Sequence, residues 1–174
     1  MAARIVPAAD IVLAMANAIE RFLESAQVLG HPIDVRRFPE GTKTAEDAAR
    51  AIGCDVGQIV KSLIFVADDR PVLALTSGAN RVDVSRLSEA AGAGEVRRAS
   101  PEEAREATGF AVGGTPPFGH AKQVTAFLDR DLLAYDEVWA AAGTPDAVFP
   151  LSPAELQRTA KARVVDLKEG SAGG

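Results

Sequence analysis

The sequence predicts an α+β domain with a mixed, mostly antiparallel sheet, and three observations lead there. Short β-branched runs recur between turn signals, short helices with clear caps stand among them, and no regular alternation of strand and long helix is present. The 174 residues suit one domain over 1–174, with 47% hydrophobic and 25% charged residues, ordinary for a globular chain.

The elements follow from local chemistry. Ile11, Met15, Ile19, Phe22, Ala26 and Leu29 recur at three- and four-residue spacing, so residues 1–30 are expected to hold a helix docked on the core. Asp10 is its expected cap, and Gly30-His31-Pro32 stops it. A short strand is expected over 33–38. Thr44 with Asp47 opens a helix through Ala51 that Gly53 closes. Residues 58–67 and 71–77 form an expected hairpin turning at Asp68-Asp69-Arg70, with Pro71 tolerated at the strand start. Val84 to Ala91 reads as helix, ended by Gly92, and 95–99 as a short strand. Ser100-Pro101-Glu102-Glu103 joins an N-cap serine, a proline at the first helical position and a glutamate at the third; Ser152-Pro153-Ala154-Glu155 repeats the device. Strands are expected at 110–113, 123–128, 137–141, 147–151 and 163–167, and a disordered tail at 170–174.

Composition narrows the function. With 19 Lys+Arg against 24 Asp+Glu the net charge is −5, so any RNA contact must be local, through patches such as Arg36-Arg37, Arg81 and Arg86, Arg97-Arg98, or Lys161 and Arg163. Each of these also reads as a solvated face. Cys54 is the only cysteine, which excludes an intramolecular disulfide and fits a reducing, cytoplasmic setting. His31 and His120 are the only histidines, so no zinc-type ligand set can be assembled from Cys and His. The apolar stretch 11–19 is too short to span a bilayer. No phosphate-loop or dinucleotide fingerprint occurs, so neither ATP nor NAD is expected, and the cofactor expectation is none.

Two segments carry chemistry. Lys61 lies inside Gln58-Ile59-Val60-Lys61-Ser62-Leu63-Ile64-Phe65-Val66, a run apolar enough to be a strand covered on both faces, where a charge needs a polar or anionic partner. A lysine that snorkels to water from a strand end is the plain alternative. Alternation puts Lys61 on one face and Ser62 on the other. The second segment is Gly113-Gly114-Thr115-Pro116-Pro117-Phe118-Gly119-His120. Its prolines stiffen it and leave the N–H groups of Gly113, Gly114, Thr115, Phe118 and Gly119 available to a carbonyl or its oxyanion. A simple turn between strands is the alternative. His120 is read as a group that orients water or contacts a ribose, or as a surface histidine. Asp136 is read as a ribose ligand or a local cap. A cation facing rigid amides across a shared cavity is the arrangement expected.

Lys61 in Val60-Lys61-Ser62-Leu63-Ile64-Phe65, with Gly109 to Gly119 roughly fifty residues on, resembles the YbaK/EbsC family of aminoacyl-tRNA editing domains, found free-standing or inserted in bacterial prolyl-tRNA synthetase. The likeness runs from about residue 30 to 168. It implies a small, partly closed barrel with flanking helices. It also implies a free-standing, metal-independent deacylase that hydrolyses, in trans, the ester joining a wrong amino acid to the terminal adenosine of tRNA. Lys61 matches the family lysine that contacts the substrate near the terminal ribose and phosphate. Gly113, Gly114, Thr115 and Pro117 match the element that holds the aminoacyl carbonyl, with Ser62, Phe118, Gly119, His120 and Asp136 as further substrate contacts. The implied partners are the 3′ end of a mischarged tRNA and, beside it, an aminoacyl-tRNA synthetase; no membrane or metal is implied. Thr144-Pro145-Asp146 stands where the Cys-tRNA deacylase subgroup carries a Gly-Leu-Asp type segment. Two readings of other kinds stay open: a non-catalytic module that binds an aminoacyl end, a nucleotide or a protein, and a hydrolase of some small ester.

Overall fold

A computed structural model describes residues 5–40 and 42–170. Five helices and eight strands alternate irregularly: α1 (Ala8–Val28), β1 (Arg36–Arg37), α2 (Ala45–Ile52), β2 (Val60–Ala67), β3 (Arg70–Ser77), α3 (Val84–Ala91), β4 (Val96–Arg98), α4 (Pro101–Thr108), β5 (Thr125–Asp129), β6 (Val138–Ala141), β7 (Ala147–Leu151), α5 (Pro153–Ala160) and β8 (Arg163–Val165). The expected mixed α+β class holds. Among the described residues the strand pairings close no barrel; they form a five-stranded sheet ordered β4-β2-β3-β5-β8 and a three-stranded one ordered β1-β7-β6. A bridge between Ile59 and Trp139 links the two. Among the described residues β3 with β5 and β5 with β8 pair parallel, as does that bridge, while the other four strand pairings are antiparallel.

The β2–β3 hairpin is the spine of the larger sheet. Pro71 sits opposite Val66, beyond the last β3–β5 pair at Val72 and Thr125, so its missing N–H removes no ladder bond. One face of the hairpin packs Val60, Ile64, Leu73 and Leu75 into the main core with Phe22, Phe110, Phe118 and Phe149. The other packs Phe65, Val72 and Ala74 against Leu87 of α3, Phe127 and Leu167. A strand buried on both faces needs apolar residues at successive positions, which is the pattern of its sequence.

Several expectations shift. The N-cap position of α1 is Pro7, not Asp10, whose carboxylate instead lies in the first turn, where the helix dipole favours it. Only the second half of α1 docks, through Ala18, Ile19, Phe22 and Ala26, while Ile11 and Leu29 are about half exposed because the helix outruns the core. The strand at 33–38 shrinks to Arg36–Arg37. Gln58 belongs to a short 3-10 turn, where its Oε1 accepts from Asp55 N at 3.0 Å, so β2 begins two residues later. Residues 110–113 form no strand: Gly109 ends α4 in the left-handed region, Phe110 drops into the core, and a tight turn follows. The expected disordered tail lies, beyond Gly170, outside the described residues.

The caps read at Thr44, Ser100 and Ser152 form, unlike the one read at Asp10. Ser100 Oγ accepts from Glu103 N at 3.1 Å while Glu103 Oε2 accepts from Ser100 N at 2.8 Å, and Ser152 with Glu155 repeats the pair at 3.1 and 2.9 Å. Ser152→Ala is expected to cost about 1 kcal/mol of stability, read as a lower midpoint in urea at unchanged slope. An unchanged midpoint would show that the cap does not hold α5.

Candidate functional site

The glycine-proline loop is fixed from within. Ala111 O accepts from Gly114 N at 3.1 Å and from Thr115 Oγ1 at 3.2 Å. His120 Nε2 meets Pro116 O at 2.7 Å, and because a carbonyl only accepts, this nitrogen carries the proton. The loop is also pressed onto the β6–β7 connection. A Cβ on Gly114 would stand 2.7 Å from Thr144 Cα and 2.8 Å from Gly143 O, so only glycine allows this approach. Gly113 adopts φ +89° beside Pro145. Gly114 to Phe118 are buried and Gly113 is exposed. The Gly114 N–H, counted as available from sequence, is spent inside the turn. The amides of Gly113, Thr115, Phe118 and Gly119 meet no acceptor among the described residues.

Lys61 is half buried, and its Nζ donates to Asn80 O at 2.6 Å. Burial pushes its titration down, Glu46 opposes that, Arg81 and Arg98 push further down, and Asp129 opposes. Lys61 projects to the face that carries Leu63, Phe65 and its cross-strand partner Thr76, the α3 side of the sheet. Ser62 projects to the opposite face, with Val60 and Ile64, toward the core that holds Phe110 and Phe118. Lys61 and the loop are therefore on different faces of the larger sheet. The groove of about 910 Å³ beside the loop is lined by Leu29, Leu73, Phe118, His120, Lys122 and Lys161 among others, and Lys61 is not part of it. A segment runs between the two: Thr42 Oγ1 donates to Pro145 O, next to Gly113, and Glu46, four residues on, acts on Lys61.

Ser62 stands at a gap. Ile59 O accepts from Gly78 N, so residues 59, 61, 63 and 65 turn their backbone groups toward β3 and residues 60, 62 and 64 turn theirs outward. Ile64 O accepts from Ala99 N, but the chain then enters α4 at Pro101, which has no N–H, so the β4 pairing stops short of Ser62. Ser62 Oγ is buried without a partner, as is Thr76 Oγ1 across from Lys61.

Other readings from sequence separate. Asp136 is exposed and makes no hydrogen bond or ion pair among the described residues, whereas Asp146, not singled out from sequence, does. It accepts from Thr144 Oγ1 at 2.6 Å and pairs with Arg37 at 2.7 Å; burial resists its ionisation, but these two partners hold the carboxyl below its usual range. The alignment with a Gly-Leu-Asp type segment was its only signal in the sequence. Arg86 and Arg97 are likewise neutralised, by Asp166 at 2.5 Å and Glu103 at 2.7 Å. Arg98 stacks over Phe65 at 5.5 Å, and Arg81 forms no ion pair among the described residues, so the two stand near Lys61 as a local basic set. Cys54 is half buried, and its thiol is pushed up by burial and by Asp55 and Glu137, the opposite of an activated nucleophile. Among the described residues no three His, Cys, Asp or Glu side chains converge to hold a metal ion, and no helix is long and apolar enough to cross a membrane.

Residues 39–159 match the model of the aminoacyl-tRNA editing domain, a stretch that takes in both Lys61 and the loop, and the chain belongs to that family. It is 33% identical over 132 residues to the uncharacterized protein YwhH of Bacillus subtilis, covering 75% of this chain and 83% of that one. It is 29% identical over 117 residues to the "Putative Cys-tRNA(Pro)/Cys-tRNA(Cys) deacylase EbsC" of Enterococcus faecalis, covering 67% and 71%. A crystal structure of "a putative trans-editing enzyme for prolyl tRNA synthetase" superposes with TM-score 0.84 at 47% identity, covering 88% of this chain and 98% of that one.

Two outcomes test this geometry. Gly114→Ala is expected to lose about 1–3 kcal/mol of stability, measured in urea, because the methyl meets backbone that cannot yield. Burial lowers the His120 titration, against the pull of the Pro116 carbonyl. A folded value below the unfolded one, near 6.5, gives stability that is complete above that pH and lost as the pH falls through the folded value. The midpoint in urea should therefore drop below about pH 6.5, and His120→Gln should flatten the drop.

Proposed function

We propose that this protein is an aminoacyl-tRNA deacylase that hydrolyses, in trans, the ester of a mischarged tRNA. The observation that carries the reading is the loop 113–119, locked by its own hydrogen bonds and by the Gly114 seat, with the Gly113 and Thr115 amides unspent. Membership of the editing family supports it. So does the named activity of the EbsC relative.

In this reading water adds to the aminoacyl carbonyl carbon, the oxyanion forms against the Gly113 and Thr115 amides, and the bond to the ribose oxygen breaks, releasing the amino acid and a ribose hydroxyl. Rigid donors aimed at a developing oxyanion are worth roughly 10²- to 10³-fold each in rate. An aminoacyl ester is activated already, so little more is needed. The acceptor end lies across the start of β2, with the aminoacyl group on the loop side and a backbone phosphate on the side of Lys61, Arg81 and Arg98. That basic set gives an overall acidic chain a local site for RNA. A synthetase separates side chains that differ by a methylene by only about 1–3 kcal/mol, so a second, hydrolytic sieve serves translation fidelity.

A panel of mischarged tRNAs tests the proposal. At least one is expected to be hydrolysed well above its spontaneous rate, and Lys61→Ala is expected to lower kcat/KM at least about tenfold, equivalent to about 1.4 kcal/mol of transition-state binding. No release above background from any member of the panel would overturn deacylation, and equal release by wild type and variant would overturn the role of Lys61.

A further inference from the structure

The carbonyl that receives the Lys61 ammonium is held by side chains with no part in the steps above. Asn80 O accepts from Lys61 Nζ at 2.6 Å, while Asn80 Nδ2 donates to Asp129 Oδ2 and to Asp131 Oδ2, both at 2.9 Å. Asp129 is fully buried, and its oxygens also accept from Ser77 N and Asp131 N, each at 3.1 Å. Lys168 pairs with the same Oδ2 of Asp131 at 3.2 Å, and Asn80 N closes the turn on Ser77 O at 2.9 Å. The turn after β3 is thus clamped from β5 and the 3-10 turn that follows it.

A buried carboxylate is a costly way to hold a strand end, because an apolar residue of similar size holds it as well without desolvating a charge. What the carboxylate adds is direction. Its lone pairs fix the Asn80 side chain, and that fixes which way the Asn80 carbonyl points. Lys61 has a long, flexible stem and a compact ammonium whose N–H donors rotate freely unless one is anchored. Anchored to Asn80 O, its other donors have a set direction at the end of the sheet. The charged groups around it are Glu46 from α2, Arg81 after the turn, Arg98 from β4 and Asp129 from β5. The ammonium stands among two carboxylates and two guanidiniums, and the Asn80 carbonyl is its one hydrogen-bond partner among the described residues.

We infer that Asp129 and Asn80 are positioning residues that aim the Lys61 ammonium at the phosphate of an incoming acceptor end. The inference rests on the reading that Lys61 serves deacylation. Asn80 is half buried on a turn, which makes Asn80→Ala the gentler probe; Asp129→Asn keeps the shape but turns an acceptor into a donor facing Asn80.

The test is a double-mutant cycle on kcat/KM, with the mischarged tRNA that wild type cleaves best. Asn80→Ala is expected to lower kcat/KM about five- to tenfold in the wild-type background, mostly through KM, and less than about twofold when Lys61 is already alanine. Asp129→Asn is expected to follow the same pattern. An equal loss in both backgrounds, or no loss in either, overturns the inference, since a purely structural role acts whether or not the lysine is present. If Lys61→Ala alone leaves deacylation unchanged, the functional reading fails, and the positioning claim is then decided without tRNA by NMR titration of the Lys61 Nζ. Loosening the anchor in Asn80→Ala is expected to move that titration, because the carbonyl favours the charged ammonium and burial opposes it. A titration that stays where it is in wild type overturns the claim.

Discussion

Alternation along β2 is the constraint on which the remaining geometry depends. Because the strand is covered on both faces, each residue has to face one of two cores, and neighbours separate completely: Ser62 to the core with the loop aromatics, Lys61 to the α3 side. A charged residue in such a strand is tolerated only at its end, where a main-chain carbonyl reaches it, and Asn80 O supplies that. The same alternation turns the Ser62 backbone away from β3, past the end of the β4 pairing.

The loop solves a different problem by a different means. Its rigidity comes from contact of backbone with backbone, Gly114 against Gly143 and Thr144, and from two internal acceptors, Ala111 O and Pro116 O. No side chain can be inserted there, so the donors at Gly113 and Thr115 have little freedom to move. Preorganised donors act on a developing charge without a reorganisation cost at the moment of reaction.

Charge is arranged locally against the acidic whole. Arg37, Arg86 and Arg97 are taken up by intramolecular carboxylates, whereas Lys61, Arg81 and Arg98 cluster on one side of the sheet. An anionic ligand is drawn to that cluster more than to the surface as a whole.

The sequence by itself determined the α+β class, the hairpin of β2 and β3, the capped helices at Ser100 and Ser152, and the membership that Lys61 and the glycine-proline loop point to. Those are local signals: caps, glycines and alternation act within a few residues. Only the tertiary structure decided that Gly114 spends its N–H within the turn, that 110–113 is no strand, that the strands pair into two sheets, and that Asp146 rather than Asp136 is the partnered acid near the loop. It also decided that the lysine and the loop are on different faces of one sheet. Apart from the Gly114 turn, which closes on Ala111 three residues back, those outcomes depend on contacts between residues thirty to more than a hundred positions apart, as Arg37 with Asp146 and Asn80 with Asp129 illustrate. No window of sequence contains both partners.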